Sequence, residues 1–115
     1  TWETDPLGNS FGAGGLFLTL SELHKFGLFY LNKGKWNGKQ ILSEKWIEES
    51  TAASDTDHYG YLFWRGEYNS YRADGKYSQI SMILPDKNAV ISMVAECRNG
   101  EELMRALYDL VCAKL

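Results

Sequence analysis

Three short stretches carry residue types able to hold a ligand: Gly12, Gly14 and Gly15 running toward a helix, the run Asp55-Thr56-Asp57-His58, and His24 near Glu22 and Lys25. A phosphate-cradling loop needs G-x-x-x-x-G-K-[ST] leaving a strand, so that backbone N–H groups and a lysine converge on the anion. No lysine follows these glycines, and the dinucleotide pattern G-x-G-x-x-G is also missing. Sharp turns and close backbone packing account for them better. Asp55, Asp57 and His58 supply too few oxygens, in the wrong order, for a hard-cation loop, and read as a solvated surface loop. Neither histidine belongs to a metal triplet, so neither metal nor cofactor is expected. No G-x-S-x-G elbow is present, and no lysine has a serine three residues before it, so the S-x-x-K pairing of amine and hydroxyl is absent too.

The elements that would position any site follow from period and caps. Residues 1–18, with Pro6 and four glycines, read as an ordered loop. Thr19 and Glu22 form a T-x-x-E capping box for a helix whose apolar stripe is Leu20, Leu23, Phe26, Tyr30 and Leu31, stopped at Gly34. Gly27 inside it costs about 1 kcal/mol relative to alanine, which implies a close neighbour. Asn37-Gly38 is the favoured pair for a two-residue type I′ hairpin. Ser43 caps a short helix with Trp46 and Ile47 facing inward. From Tyr59 the period becomes two, through "YGYLFW", "SYRAD", "SQISMIL" and "AVISMVA", which gives three principal antiparallel strands. Ile80, Met82 and Leu84 oppose Ile83, so the sheet is apolar on both faces and needs a layer on each. A last helix from Gly100, capped by Asn99, offers Leu103, Leu107, Leu110 and Val111 as one layer; the other is not fully evident.

With 115 residues, 44% apolar and 14% aromatic, the chain can build one core. Twelve basic against fifteen acidic residues, net charge -3, leave no footprint for nucleic acid. No apolar run approaches the roughly 20 residues of a membrane span. Cys97 and Cys112 read as two reduced thiols. The opening "TWETDPLG" lacks an initiator methionine, which suits a processed product or a piece of a longer protein.

"GAGGLFLTLSELHKFGLFYLNKGKWNGKQILSEKWIEEST", "YGYLFW" and "ADGKYSQISMILPDKNAVISMVAE", in that order, resemble the C-terminal part of the serine β-lactamase and penicillin-binding-protein family, in its class C-like, esterase-related branch. The resemblance spans about residues 2 to 96. It implies an α+β fold, a three-stranded antiparallel sheet with flanking helices, forming part of a larger β-lactamase-like domain: residues 1–58 the loop and helical part, 59–115 the sheet and last helix. It also implies acyl transfer on a β-lactam, cell-wall peptide or ester, by a serine and lysine that lie upstream of the matched part. This chain alone would then be inert. Tyr30-Leu31-Asn32 spells the family's Y-x-N but falls in its structural helix.

The family's K-T-G or H-x-G element aligns with Ala73-Asp74-Gly75. By resemblance, the Lys76 backbone amide is an oxyanion-hole donor, while Ala73, Asp74, Gly75 and Tyr77 bind substrate. Ala73 stands where the family often places the cation that holds a substrate carboxylate. The implied partners are a small-molecule or peptide substrate, the missing N-terminal part of the fold, and a second copy paired along a free edge at residues 89–95. The alternative is a non-catalytic peptide-binding or self-associating module.

Overall fold

The computed structural model describes residues 1–12, 14–54 and 58–115, so the reading of Asp55 and Asp57 falls outside the described residues. Helix α1, Leu20–Leu31, begins at the expected capping box: Thr19 Oγ1 accepts from the Glu22 amide at 3.3 Å and the Glu22 carboxylate accepts from the Thr19 amide at 2.7 Å. The Thr19 amide, followed by its hydroxyl, holds the Glu22 carboxyl below its ordinary value. Strands β1, Lys35–Trp36, and β2, Lys39–Gln40, form a ribbon around Asn37 (φ 48°) and Gly38 (φ 76°), two successive left-handed residues as a type I′ turn requires. Helix α2, Glu44–Thr51, is capped by Ser43, whose hydroxyl accepts from the Trp46 amide. Its buried stripe is Ile47, Ser50 and Thr51. Trp46, expected inside, is 43% exposed and lies 5.9 Å from the Tyr61 ring, because one position along a helix turns a side chain about 100° away from that stripe.

The main sheet has four strands rather than three, in the order β3 (Trp64–Arg65), β4 (Tyr71–Gly75), β5 (Gln79–Leu84) and β6 (Ala89–Met93), all antiparallel. The extra strand is a remnant of "YGYLFW". Leu62 is left-handed (φ 68°) and donates to the Gly60 carbonyl at 2.9 Å, so the run bends and only its end can join the ladder. Strand β6 lies at the far end of the sheet, as expected, although it stops at Met93.

Both faces of the sheet are covered. On one, Tyr30 of α1 packs with Ile47, Phe63, Tyr71 and Ile83, joined by Phe26, Ala73 and Val90. Helix α1 therefore supplies the layer that the sequence left open. Gly27 is where it seats: a Cβ there would lie 2.5 Å from Val90 Cγ1 and 2.6 Å from Ser81 Oγ. On the other face, Ile80, Met82 and Leu84 meet α3, Gly100–Leu110, whose cap Asn99 accepts from the Glu102 amide at 3.3 Å. The packed stripe is Met104, Tyr108 and Cys112; Leu110 and Val111, expected there, are exposed. The two cysteines are unpaired thiols, Cys97 half-buried and Cys112 buried. No helix among the described residues is long and apolar enough to cross a membrane.

Candidate functional site

Strand β3 is too short to cover its neighbour. Trp64 pairs with Arg72 and Arg65 with Tyr71, after which β4 continues alone. Ala73, Asp74 and Gly75 keep their partners Ser81, Ile80 and Gln79 on β5 but, among the described residues, have no strand on the opposite side. Asp74 shows what this does to the main chain. The residue is exposed although its side chain is only 24% accessible, so the open part is largely backbone.

Lys76, Tyr77 and Ser78 turn the chain from β4 into β5. The Ser78 amide donates to the Gly75 carbonyl at 3.1 Å, and the Cys97 amide donates to the Tyr77 carbonyl at 3.1 Å, which ties the turn to the segment leaving β6. Tyr77 (φ 62°) and Ser78 (φ 70°) are both left-handed without being glycine, a conformation of roughly 1 kcal/mol per residue that these ties hold in place. Among the described residues, the Lys76 amide N–H meets no acceptor. Its ammonium lies over the Tyr77 ring, 4.9 Å from the centroid.

Asp74, Gly75 and Tyr77 line a groove of about 470 Å³ together with Ser78, Cys97, Arg98 and Gly100. Of the residues singled out from the sequence, Ala73 and Lys76 are not on its walls. Ala73 shares a face of β4 with Tyr71 and packs against the aromatic cluster under α1. The Asp74 carboxylate accepts from Arg72 Nε at 2.9 Å, so its charge is matched within the strand. Cys97, Arg98 and Ser78 were missed. No local pattern announces them: the Cys97–Tyr77 backbone bond between distant segments is what brings the chain before α3 to the hairpin tip.

Beneath the open run sits Tyr71, with its hydroxyl aimed at the Tyr30 carbonyl at 3.4 Å. Burial, reinforced by the Tyr30 ring and opposed by Arg65, pushes its phenol up to about 12. Arg65 lies 5.8 Å from the Tyr71 ring and donates to the Thr51 carbonyl and to Asn69. Tyr30 is itself a core residue, 4.7 Å from Phe63 and 4.8 Å from Phe26 between ring centroids, so the Tyr30-Leu31-Asn32 tripeptide is a packing element.

No protein-family model and no curated protein matches the chain. A solved structure named "Putative 6-aminohexanoate-dimer hydrolase from Bacillus anthracis" matches 93% of it with a TM-score of 0.77 at 23% identity. The match occupies 31% of that structure's chain, so this chain spans about a third of its length. The likeness extends to the fold: the α+β arrangement of helices and antiparallel sheet is that of a fragment of a β-lactamase-like fold.

Proposed function

We propose that the chain forms one wall of a serine-hydrolase site of the β-lactamase and penicillin-binding-protein kind, with the nucleophile and its lysine on polypeptide outside these residues. The observation that carries this reading is the uncovered main chain from Ala73 to Lys76, ending in an amide N–H without an acceptor. An oxyanion that develops on an acyl carbonyl is stabilised by donors already fixed in place, and a main-chain N–H on a tied-down turn is such a donor. One donor is half of an oxyanion hole. Without a hydroxyl and a base the chain makes no acyl-enzyme, so alone it is inert. The name of the matched structure, a hydrolase, supports the same class of chemistry.

A fluorophosphonate or fluorescent penicillin should label a longer polypeptide containing this chain and leave the isolated chain unlabelled. Labelling of neither would favour the second reading, a peptide-binding module; what favours it is the methyl of Ala73, partly buried against the aromatic cluster where the family resemblance expects a cation. The same proposal gives β6 a role. Among the described residues its outer side is unpaired over Ala89–Met93, which suits a strand from the rest of such a fold or, failing that, a second copy of the chain. Light scattering of the isolated chain at high concentration should report a dimer, and a clean monomer would remove the self-pairing part.

A further inference from the structure

We propose that the cavity between the last turn of α1, helix α2 and strand β4 binds a small neutral aromatic molecule bearing one hydrogen-bond acceptor, held by the Tyr71 hydroxyl. The cavity measures about 460 Å³, within the range of small-ligand sites, and shares no described residue with the groove at the β4–β5 tip. Tyr30, Leu31, Ile47, Ala52 and Pro85 make its walls apolar. Most polar groups among them are already paired. Thr51 Oγ1 donates to the Ile47 carbonyl at 2.8 Å, Arg65 donates to the Thr51 carbonyl at 3.1 Å and to Asn69 Oδ1 at 2.6 Å, and the Asn69 amide donates to Asp86 at 3.1 Å. Tyr71 is the exception. The residue is only 5% exposed, yet its hydroxyl stands 3.4 Å from the Tyr30 carbonyl, beyond the roughly 3.0 Å limit of a sound O–H···O bond. That carbonyl already accepts from the Lys33 amide at 3.0 Å. A buried donor so weakly paired gains a full hydrogen bond from an acceptor that a ligand brings. Tyr30 and Tyr71 both line the cavity, so this donor stands in its wall beside rings that an aromatic ligand can pack against. Charge narrows the class further. Lys33 and Arg65 are offset by Glu48 on the same wall, by Glu44 at 3.8 Å from Lys33, and by Asp86 behind Asn69, so an anion meets no net attraction. Glu48 is exposed to water, which leaves a cation little to gain.

Acetophenone and α-methylstyrene have nearly the same shape and differ in whether the group beside the ring accepts a hydrogen bond. In amide NMR spectra of the chain, acetophenone should shift the Ile47, Thr51 and Tyr71 signals saturably, with a Kd on the order of 1 mM for so small a ligand. α-Methylstyrene should bind about fivefold more weakly, the loss of one net hydrogen bond. Tyr71→Phe keeps the ring and should bring acetophenone down to the affinity of α-methylstyrene, whose own binding stays unchanged. Benzoate, of similar size but charged, should bind more weakly than acetophenone. Ala52→Trp, which fills the cavity from its exposed side, should abolish binding of both neutral ligands, and amide signals unchanged elsewhere show that each variant is folded. No saturable shift at these residues, equal loss of both neutral ligands in Tyr71→Phe, tighter binding of benzoate, or undiminished binding to folded Ala52→Trp overturns the proposal. Loss of acetophenone binding in the longer polypeptide would show that a side chain of the added part fills the cavity, and would overturn its assignment to a free ligand. None of these outcomes depends on whether that polypeptide reacts with fluorophosphonate.

Discussion

The sheet leaves backbone open at both of its ends, and the two openings differ in kind. At β6 the whole five-residue strand is, among the described residues, uncovered on its outer side, its residues are half-buried, and α1 is locked across it through Gly27. At β4 the opening is a few residues long, begins where β3 stops, and is flanked by a charged groove. A long apolar edge is a template for another strand. A short one beside a pocket is too small to extend a sheet and presents isolated donors to a ligand. On the reading proposed above, the same hydrogen-bonding groups would serve assembly at one end and recognition at the other, and the difference is set by how far the neighbouring strand reaches.

The first way to break this contrast is to remove what both ends stand on. Ile83 is fully buried in β5, and Ile83→Ala should cost about 4 kcal/mol in urea denaturation, whereas Leu110→Ala, on the outward face of α3, should cost under about 0.5 kcal/mol. Gly27→Leu acts where α1 crosses β6 and β5. It should cost about 2 to 3 kcal/mol in urea denaturation by forcing α1 off Val90 and Ser81.

Alkali acts on the β4 end. Tyr71 ionises near 10 when unfolded and at about 12 when folded, so its contribution is fully present below pH 10 and is lost as pH rises toward 12. Stability should fall by about 2 kcal/mol over that window beyond any general alkaline trend, and Tyr71→Phe should flatten this part of the profile. The smallest effect belongs to the hairpin tip. Ser78→Gly replaces a left-handed serine (φ 70°) and should raise stability by about 0.5 kcal/mol, with no change in the Tyr71 profile.

Local chemistry made most of the architecture readable in advance. The Thr19–Glu22 box, the Asn37-Gly38 turn, the Asn99 cap and the opposed faces of Ile80 and Ile83 are all determined by residues a few positions apart, and each is found as expected. What went astray depended on contacts between distant segments. Trp46 and Leu110 sit on helices whose period fits either orientation, and only the neighbouring elements decide which side is covered. "YGYLFW" has the alternation of a strand, but a left-handed Leu62 overrides it. At the site, the position of β4 was legible, since the Ala73-to-Tyr77 stretch could be placed by resemblance. The groove was not, because Arg98 comes to the hairpin tip through the Cys97–Tyr77 backbone bond, which no local pattern announces.

Cys112 lies under α3 with its sulfur 3.9 Å from the Met82 sulfur, and burial raises its thiol above the ordinary value. No reagent reaches it while the helix is seated. Every turnover of a slow thiol probe at this position therefore counts one lifting of α3, and the rate in the absence of denaturant measures how often the molecule breathes there. If α3 detaches more readily than the chain unfolds as a whole, the groove wall that begins at Gly100 is a moving part.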